Sequence, residues 1–539
     1  QRQMCIRDRI NSVLSLFLIF FSTINFSTTI RSDNSRFVLD LSTEAKSGLD
    51  WLMNRANYVS WYFLMTEKEF NDLPFMWEEG PSGYKNRYGL IPSHEFSSSN
   101  NSFGVSKQNP ELPLGFRSVK KSISTTRVEG SCLICHSSAY PTFSKGGDKI
   151  VWNSFPGMGN RDLDFQNLLD DRYELHQEEG YRRDLLGLKS LPLANLLTLP
   201  TLALGLDNKW YSNIFPQLYE TFENMNVKID LGTGLISPWA AEALFLNVRN
   251  RQLKIKPAKT LAAFLAPKPE HFFHVNPSIA LDTPAWFTTA IKSRLYYDGW
   301  APKAAKTIVQ SMAAPFNNVK AQLPYMENVM AYINELKAPA FPGDILLASD
   351  PKILQGHKIF QKNCAGCHGE HNIQGQLDES TYPNKVVPLN VIGTDRVRLE
   401  EGVTREFRED FSESWLGEYG KAKVNLSPRG YITPPLVGIW STAPYFHNGS
   451  VPTVRKILDY SNRNREQSWM RIRGDYDFEN LGFKYRRVSK LEYTVMSKFD
   501  KRLVYRTADH SKSNMGHNFP KQGLSEVEKD ALIEFLKSF

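Results

Sequence analysis

The sequence has 539 residues, enough for two or three domains, and its 41% hydrophobic and 23% charged content is that of an ordinary globular protein. The formal charge of +8 is spread without a basic tract, which argues against a nucleic-acid-binding protein. Of five cysteines, all but Cys5 fall in two short motifs, which leaves no credible thiol for another role.

Residues 1–9 carry Met4-Cys5-Ile6-Arg7-Asp8, which reads as a translated sequencing adapter, and they are set aside together with Cys5. Residues 10–35 are expected to be a signal peptide. The apolar run Val13–Phe21 follows Arg7 and Arg9, has the length of a signal core, and is too short to span a bilayer. A buried core helix is the competing reading. Export would leave a periplasmic protein with no stable membrane span after cleavage, a retained anchor being the alternative.

The first domain is expected over residues 36–340. Leu49, Leu52, Met53, Ala56, Val59, Tyr62 and Phe63 repeat with helical spacing. A turn-rich stretch from Gly80 to Pro113 leads to Leu112-Pro113-Leu114-Gly115-Phe116. Next stands Cys132-Leu133-Ile134-Cys135-His136, a C-x-x-C-H. In this motif two thiols add across the vinyl groups of one porphyrin, and the adjacent histidine gives a nitrogen to its iron. Phe155–Asn160 reads as a loop wrapping the haem edge, and helices are expected through much of Leu163–Phe264, a large insertion. Asn328–Lys337 reads as a short amphipathic helix, and Ala338–Gly343, with two prolines and a glycine, as a linker.

The second domain is expected over residues 344–539. A helix at Pro351–Gln361 precedes the second motif, Cys364-Ala365-Gly366-Cys367-His368. Ser525 and Glu528 form a capping box for a C-terminal helix burying Val527, Ala531, Leu532, Phe535 and Leu536. Two cysteine pairs could also close a zinc site, but such pairs normally lie within about twenty residues of each other. Thioredoxin-like redox chemistry does not call for a histidine directly after each pair. The reading is therefore a mainly α protein of two c-type cytochrome domains with long loops. Its cofactors are two haems c, held by Cys132, Cys135, Cys364 and Cys367, with His136 and His368 on the irons.

Further stretches carry a family likeness: Asp282-Thr283-Pro284-Ala285-Trp286, Tyr296-Tyr297-Asp298-Gly299-Trp300-Ala301, Thr433-Pro434-Pro435-Leu436, Thr442–Thr453 and Gly516-His517. With these the chain resembles the bacterial dihaem cytochrome c peroxidase superfamily, closest to its rubber-oxygenase-like branch. The resemblance implies a periplasmic haem oxidoreductase in which electrons pass through haem 2 to a reactive haem 1. It places His517 opposite His368 on haem 2, because the methionine usual in the peroxidases is missing around Leu458-Asp459-Tyr460-Ser461; Tyr460 is the alternative. His447 is expected beside haem 2, bonding a propionate or serving as a structural turn. Tyr297 takes the place of the family's tryptophan between the haems, as an electron relay or a packed side chain.

At haem 1 the peroxidases use a glutamate that takes a proton from one peroxide oxygen and delivers it to the leaving one. Here the matching stretch is Ala314–Ala321, with Phe316 near that position and no carboxylate before Glu327. An apolar pocket of this kind suits dioxygen better than peroxide, although Phe316 also reads as an ordinary core residue. His271 or His274 could instead close haem 1 and leave an electron carrier. Three functions remain open: a peroxidase-like oxidoreductase, a dioxygenase acting on an apolar substrate, and a non-catalytic cytochrome. The expected partners are a small electron-transfer protein or cytochrome and a small-molecule oxidant or dioxygen.

Overall fold

The computed structural model describes residues 29–31, 40–55, 65–73, 83–93, 112–120, 126–144, 149–177, 235–236, 279–310, 316–463 and 468–539. Helix α1 (Thr43–Asp50) starts earlier than the apolar spacing suggests, because the Ser42 hydroxyl accepts from the Ala45 amide and caps it. A π-helical turn at Trp51–Arg55 continues it, and residues 56–63 of the expected helix lie outside the described residues.

The strands depart from the mainly α expectation. β1 (Phe116–Lys120) pairs antiparallel with β2 (Thr126–Gly130), just before the first cysteine motif. Just after it, β3 (Ser137–Phe143) and β4 (Ile150–Pro156) pair from Ser137↔Pro156 to Phe143↔Ile150. The described residues hold seven small sheets of two or three strands, so the fold is mixed helix and strand. The physical cause lies in segments such as Ile150-Val151-Trp152, whose β-branched and aromatic side chains suit a pleated surface. A helix does open the expected helical stretch, at Phe165–Gln177, and residues 178–234 lie outside the described residues. Within the expected signal stretch, a short strand, Thr29–Arg31, pairs with Asp344–Leu346.

Helix α2 (Trp286–Ile291) follows the Asp282 motif. Helix α3 (Phe316–Glu335) is twice as long as the expected segment and carries Pro324 inside it. Helix α4 (Pro351–Asn363) is capped by Asp350 and runs up to Cys364. β5 (Val386–Pro388) pairs with β6 (Gly430–Ile432), which leads into Thr433-Pro434. Helix α5 (Glu526–Leu536) has the complete Ser525–Glu528 capping box. Its Ala531, Leu532, Phe535 and Leu536 are buried, whereas Val527 is 67% exposed.

Two helix crossings resemble one another. A Cβ on Gly48 of α1 would stand 2.1 Å from the Asn328 carbonyl oxygen of α3, and one on Gly356 of α4 would stand 2.1 Å from the Ala531 oxygen of α5. Only glycine lets these backbones approach so closely. One apolar core joins both halves, with Leu49, Trp286 and Tyr332 from the first and Phe360, Trp440 and Leu532 from the second. The Ala338–Gly343 segment is packed into it: Phe341 is buried against Trp440 and Phe478, and the Trp440 indole donates to the Pro339 carbonyl. A second, smaller core of Met65, Phe70, Tyr84, Tyr88, Phe116, Val128 and Ile134 lies behind the first motif.

Candidate haem sites

Helix α4 delivers Cys364, and a single turn, Ala365–His368, brings Cys367 and His368 round beside it. His368 is 9% exposed, and its Nδ1 lies 2.8 Å from the Pro434 carbonyl oxygen. Donation to that carbonyl fixes the tautomer and leaves Nε2 as the free lone pair, the arrangement of an iron-ligating histidine.

His517 faces it. The two ring centres are 6.2 Å apart, with their planes 49° from parallel. An imidazole nitrogen stands about 2.0–2.1 Å from a bound metal and the ring centre roughly 1 Å further out, so two imidazoles flanking one iron have centres about 6 Å apart. The spacing of this pair therefore fits a six-coordinate haem. His517 is held from several directions. Its amide donates to the Ile392 carbonyl at 2.6 Å, its backbone is left-handed with φ +50°, and the Arg463 guanidinium donates to the Gly516 carbonyl. Gly516 has φ +83°, and a Cβ there would meet the Gly393 carbonyl carbon at 2.2 Å. Burial pushes the His517 ring down to about 3, so it is neutral and able to ligate. The Tyr460 hydroxyl donates to the Pro520 and Lys521 carbonyls, bracing the loop after His517.

A cavity of about 380 Å³ lies between these groups, lined among others by Cys364, Cys367, His368, Phe446, His517 and Leu532. Its wall is mostly apolar, with buried polar groups that have no protein partner: His447 Nε2, Thr433 Oγ1 and Thr283 Oγ1. Arg161 and Lys292 add positive charge, and burial pushes Lys292 down to about 8. An apolar chamber with cations and orphaned hydrogen-bonding groups suits a porphyrin bearing propionates. His447 is 6% exposed, stacks on Tyr431 at 4.3 Å, and is pushed down to about 3 by burial and then by Arg398.

At the first motif a short 3-10 turn, Cys132–Ile134, is capped by the Ser131 hydroxyl. Phe155 and Pro156 of the expected loop belong to β4, and the turn after them is tied to the motif: Gly157 N donates to the His136 carbonyl at 2.6 Å and Asn160 N to the Cys135 carbonyl at 2.7 Å. The Asn160 side chain also donates to the Ile134 carbonyl. The His136 ring stacks on Trp286 at 4.7 Å. Its buried Nδ1 has no hydrogen-bond partner, the ring lies near the Pro284 carbonyl, and burial pushes it down to about 4. Phe316 opens α3, but its side chain lies outside the described residues, as do His271 and His274. Tyr297 is half-buried and lines the cavity beside His368. Its hydroxyl donates to the Asp282 carbonyl at 2.8 Å, and its ring is edge-on to His447 at 6.0 Å.

Burial pushes the thiols of Cys132, Cys135 and Cys364 up to about 12, so as free cysteines they would stay protonated and unreactive. Among the described residues no three His, Cys, Asp or Glu side chains gather as a metal-binding group, so the two pairs do not close one zinc site. Sequence reasoning missed the Pro284 and Pro434 carbonyls, whose partners are over sixty residues away. It also missed the buried pairing of Asp298 with Arg398 at 3.5 Å and Arg408 at 3.3 Å. Asp298 sits inside a motif the sequence displays, but nothing in the sequence marks its two arginines.

Residues 430–470 match the family model described as RoxA-like, cytochrome c-like. That stretch contains β6, the Pro434 carbonyl and His447. Over that stretch the chain is similar to the RoxA-like cytochromes c. It is 27% identical to the uncharacterized protein y4iM of Sinorhizobium fredii (strain NBRC 101917 / NGR234), over 31% of this chain and 43% of that protein. It is 37% identical to the uncharacterized protein y4iJ of the same strain, over 38% of this chain and 41% of that protein. A cytochrome-c peroxidase, IdrP2 of Denitromonas iodatirespirans, is 26% identical over 25% of this chain and 40% of its own length. The chain thus spans less than half the length of these relatives. The likeness supports covalent haem c and a haem-oxidoreductase kind of function.

Proposed function

We propose that the protein is a dihaem c-type cytochrome oxidoreductase with one haem on each C-x-x-C-H motif, in two cytochrome domains meeting near Ala338–Gly343. The observation that carries this reading is the His368–His517 pair, facing across an apolar cavity at 6.2 Å. When bound, the haems supply one-electron chemistry. His368 and His517 hold the second haem on both sides, which suits it to pass electrons. His136 would hold the first, and Tyr297 and His447 line the cavity of the second. Lys292 and Arg161 offer positive charge, and His447 a hydrogen-bonding nitrogen, to propionates. Electrons would be delivered by a small redox protein in the periplasm. Among the described residues no helix is long and apolar enough to cross a membrane.

The reaction at the first haem follows from what surrounds it. No carboxylate occupies the sequence position of the peroxidases' acid-base group, and general acid-base help is typically worth about a hundred- to ten-thousand-fold in rate. Peroxide turnover should accordingly be slow. The RoxA-like match favours a second reading, an oxygenase acting on an apolar substrate.

Haem stoichiometry by pyridine haemochrome and electron paramagnetic resonance of the oxidised protein test the general reading. Two haems per chain, one low-spin, are expected; a single haem or bound zinc would refute it. Steady-state assays with peroxide and a reduced small cytochrome test the finer one. Phe316→Glu should raise a slow wild-type rate. A fast wild-type rate indifferent to that change would place the acid-base group elsewhere.

A further inference from the structure

Two loops in this fold are built alike. Thr433-Pro434 sets its proline carbonyl against His368 Nδ1, and Thr283-Pro284 sets its own toward His136. Both threonines are buried, and both hydroxyls lack a protein partner. Tyr297 is joined to each loop at the same place, one residue before the threonine. Its carbonyl accepts from the Ile432 amide at 2.7 Å, and its hydroxyl donates to the Asp282 carbonyl at 2.8 Å. The Asp282 amide in turn donates to the His447 carbonyl at 2.9 Å, which extends the chain of hydrogen bonds to a third segment. Tyr296 before it is left-handed with φ +67° and stacks on Trp300 at 5.2 Å, an arrangement that aims the next side chain.

We propose that Tyr297 is a positioning residue whose hydroxyl holds the His136 loop in register with the His368 loop. Resting on the two-haem reading above, the inference assigns the tyrosine a task that ring packing alone does not perform. The backbone of Tyr297 is anchored to β6, so its hydroxyl acts as a strut of fixed length on Asp282. Two residues later comes the Pro284 carbonyl, close to the His136 ring, and then Trp286, which stacks on that ring at 4.7 Å. Hydrogen bonding to the outer nitrogen of a ligating histidine sets its orientation and basicity, and through them the iron's redox equilibrium. Loss of the strut should therefore be felt more at haem 1 than at haem 2: Tyr297 and the Asp282 loop also line the haem 2 cavity, but the Pro434 carbonyl beside His368 is not held by the hydroxyl.

The test is Tyr297→Phe, which removes one oxygen and keeps the ring. Haem count, electron paramagnetic resonance spectra and midpoint potentials would be compared with wild type. Two haems should load, the haem 1 signal should shift, and its reduction equilibrium should change several-fold, a tenfold change being 59 mV for one electron. Haem 2 should shift less. Tyr431→Phe is the control, because the Tyr431 hydroxyl donates to the Asp395 carbonyl and not to the haem 1 loop. It should leave haem 1 as it was. An unshifted haem 1 in Tyr297→Phe, or equal shifts at both haems, would overturn the strut while leaving the dihaem reading intact. A single haem in the wild type would instead bring down that reading.

Discussion

At the scale of single residues, His517 makes the sharpest prediction. If it and His368 share one iron, His517→Ala should convert the low-spin signal of haem 2 to high-spin, while haem content stays at two. A low-spin signal unchanged by the substitution would exclude His517 as the ligand. Asp298 makes a second. Its carboxylate is fully buried between Arg398 and Arg408. Removing one partner of a buried charge network strands the others, at a cost of about 3–5 kcal/mol. Asp298→Ala should lower the denaturation midpoint sharply, as followed by circular dichroism.

At the scale of elements, the two glycine crossings carry the packing. Gly356→Val would force α4 and α5 apart, and overpacking of this kind costs about 1–3 kcal/mol. Because α4 also delivers Cys364, the same substitution should reduce haem loading at the second motif, measurable by absorbance per chain. The α5 capping box makes a separate prediction. Ser525→Ala should cost about 1 kcal/mol, read from chemical denaturation. The Glu528 carboxyl is held below its usual value by the Ser525 amide and hydroxyl. A depressed carboxyl contributes its stability above its unfolded value and loses it as the pH falls through the lower folded value. The penalty of Ser525→Ala should therefore shrink in acid, below the ordinary glutamate range. The strands were the elements least visible beforehand. β3 and β4 interrupt a chain scanned for helical spacing, and only pairing across a turn makes such segments strands.

At the scale of the whole molecule, one core runs through both halves and a cavity of about 380 Å³ is lined by residues of both. An apolar cavity of that size is costly when empty. Blocking haem attachment with Cys364→Ser and Cys367→Ser together should lower the melting temperature by more than blocking the first motif lowers it, if the first is buttressed by its own smaller core. Differential scanning calorimetry of the two variants would compare them.

By itself the sequence determined the cysteine motifs, the histidines beside them, the capping box and the run of aromatic and proline motifs. Each depends on spacing over a few residues, which the order of the chain contains. It also pointed to His517 through the missing methionine near Tyr460. Only the tertiary structure decided which carbonyl faces each histidine, that Asp298 is shared by Arg398 and Arg408, and that Tyr297 reaches both Asp282 and Ile432. Those contacts join residues far apart in the chain. They arise because β6, the Asp282 loop and the turn at His517 are brought to one cavity by packing, and spacing along a sequence carries no record of that approach.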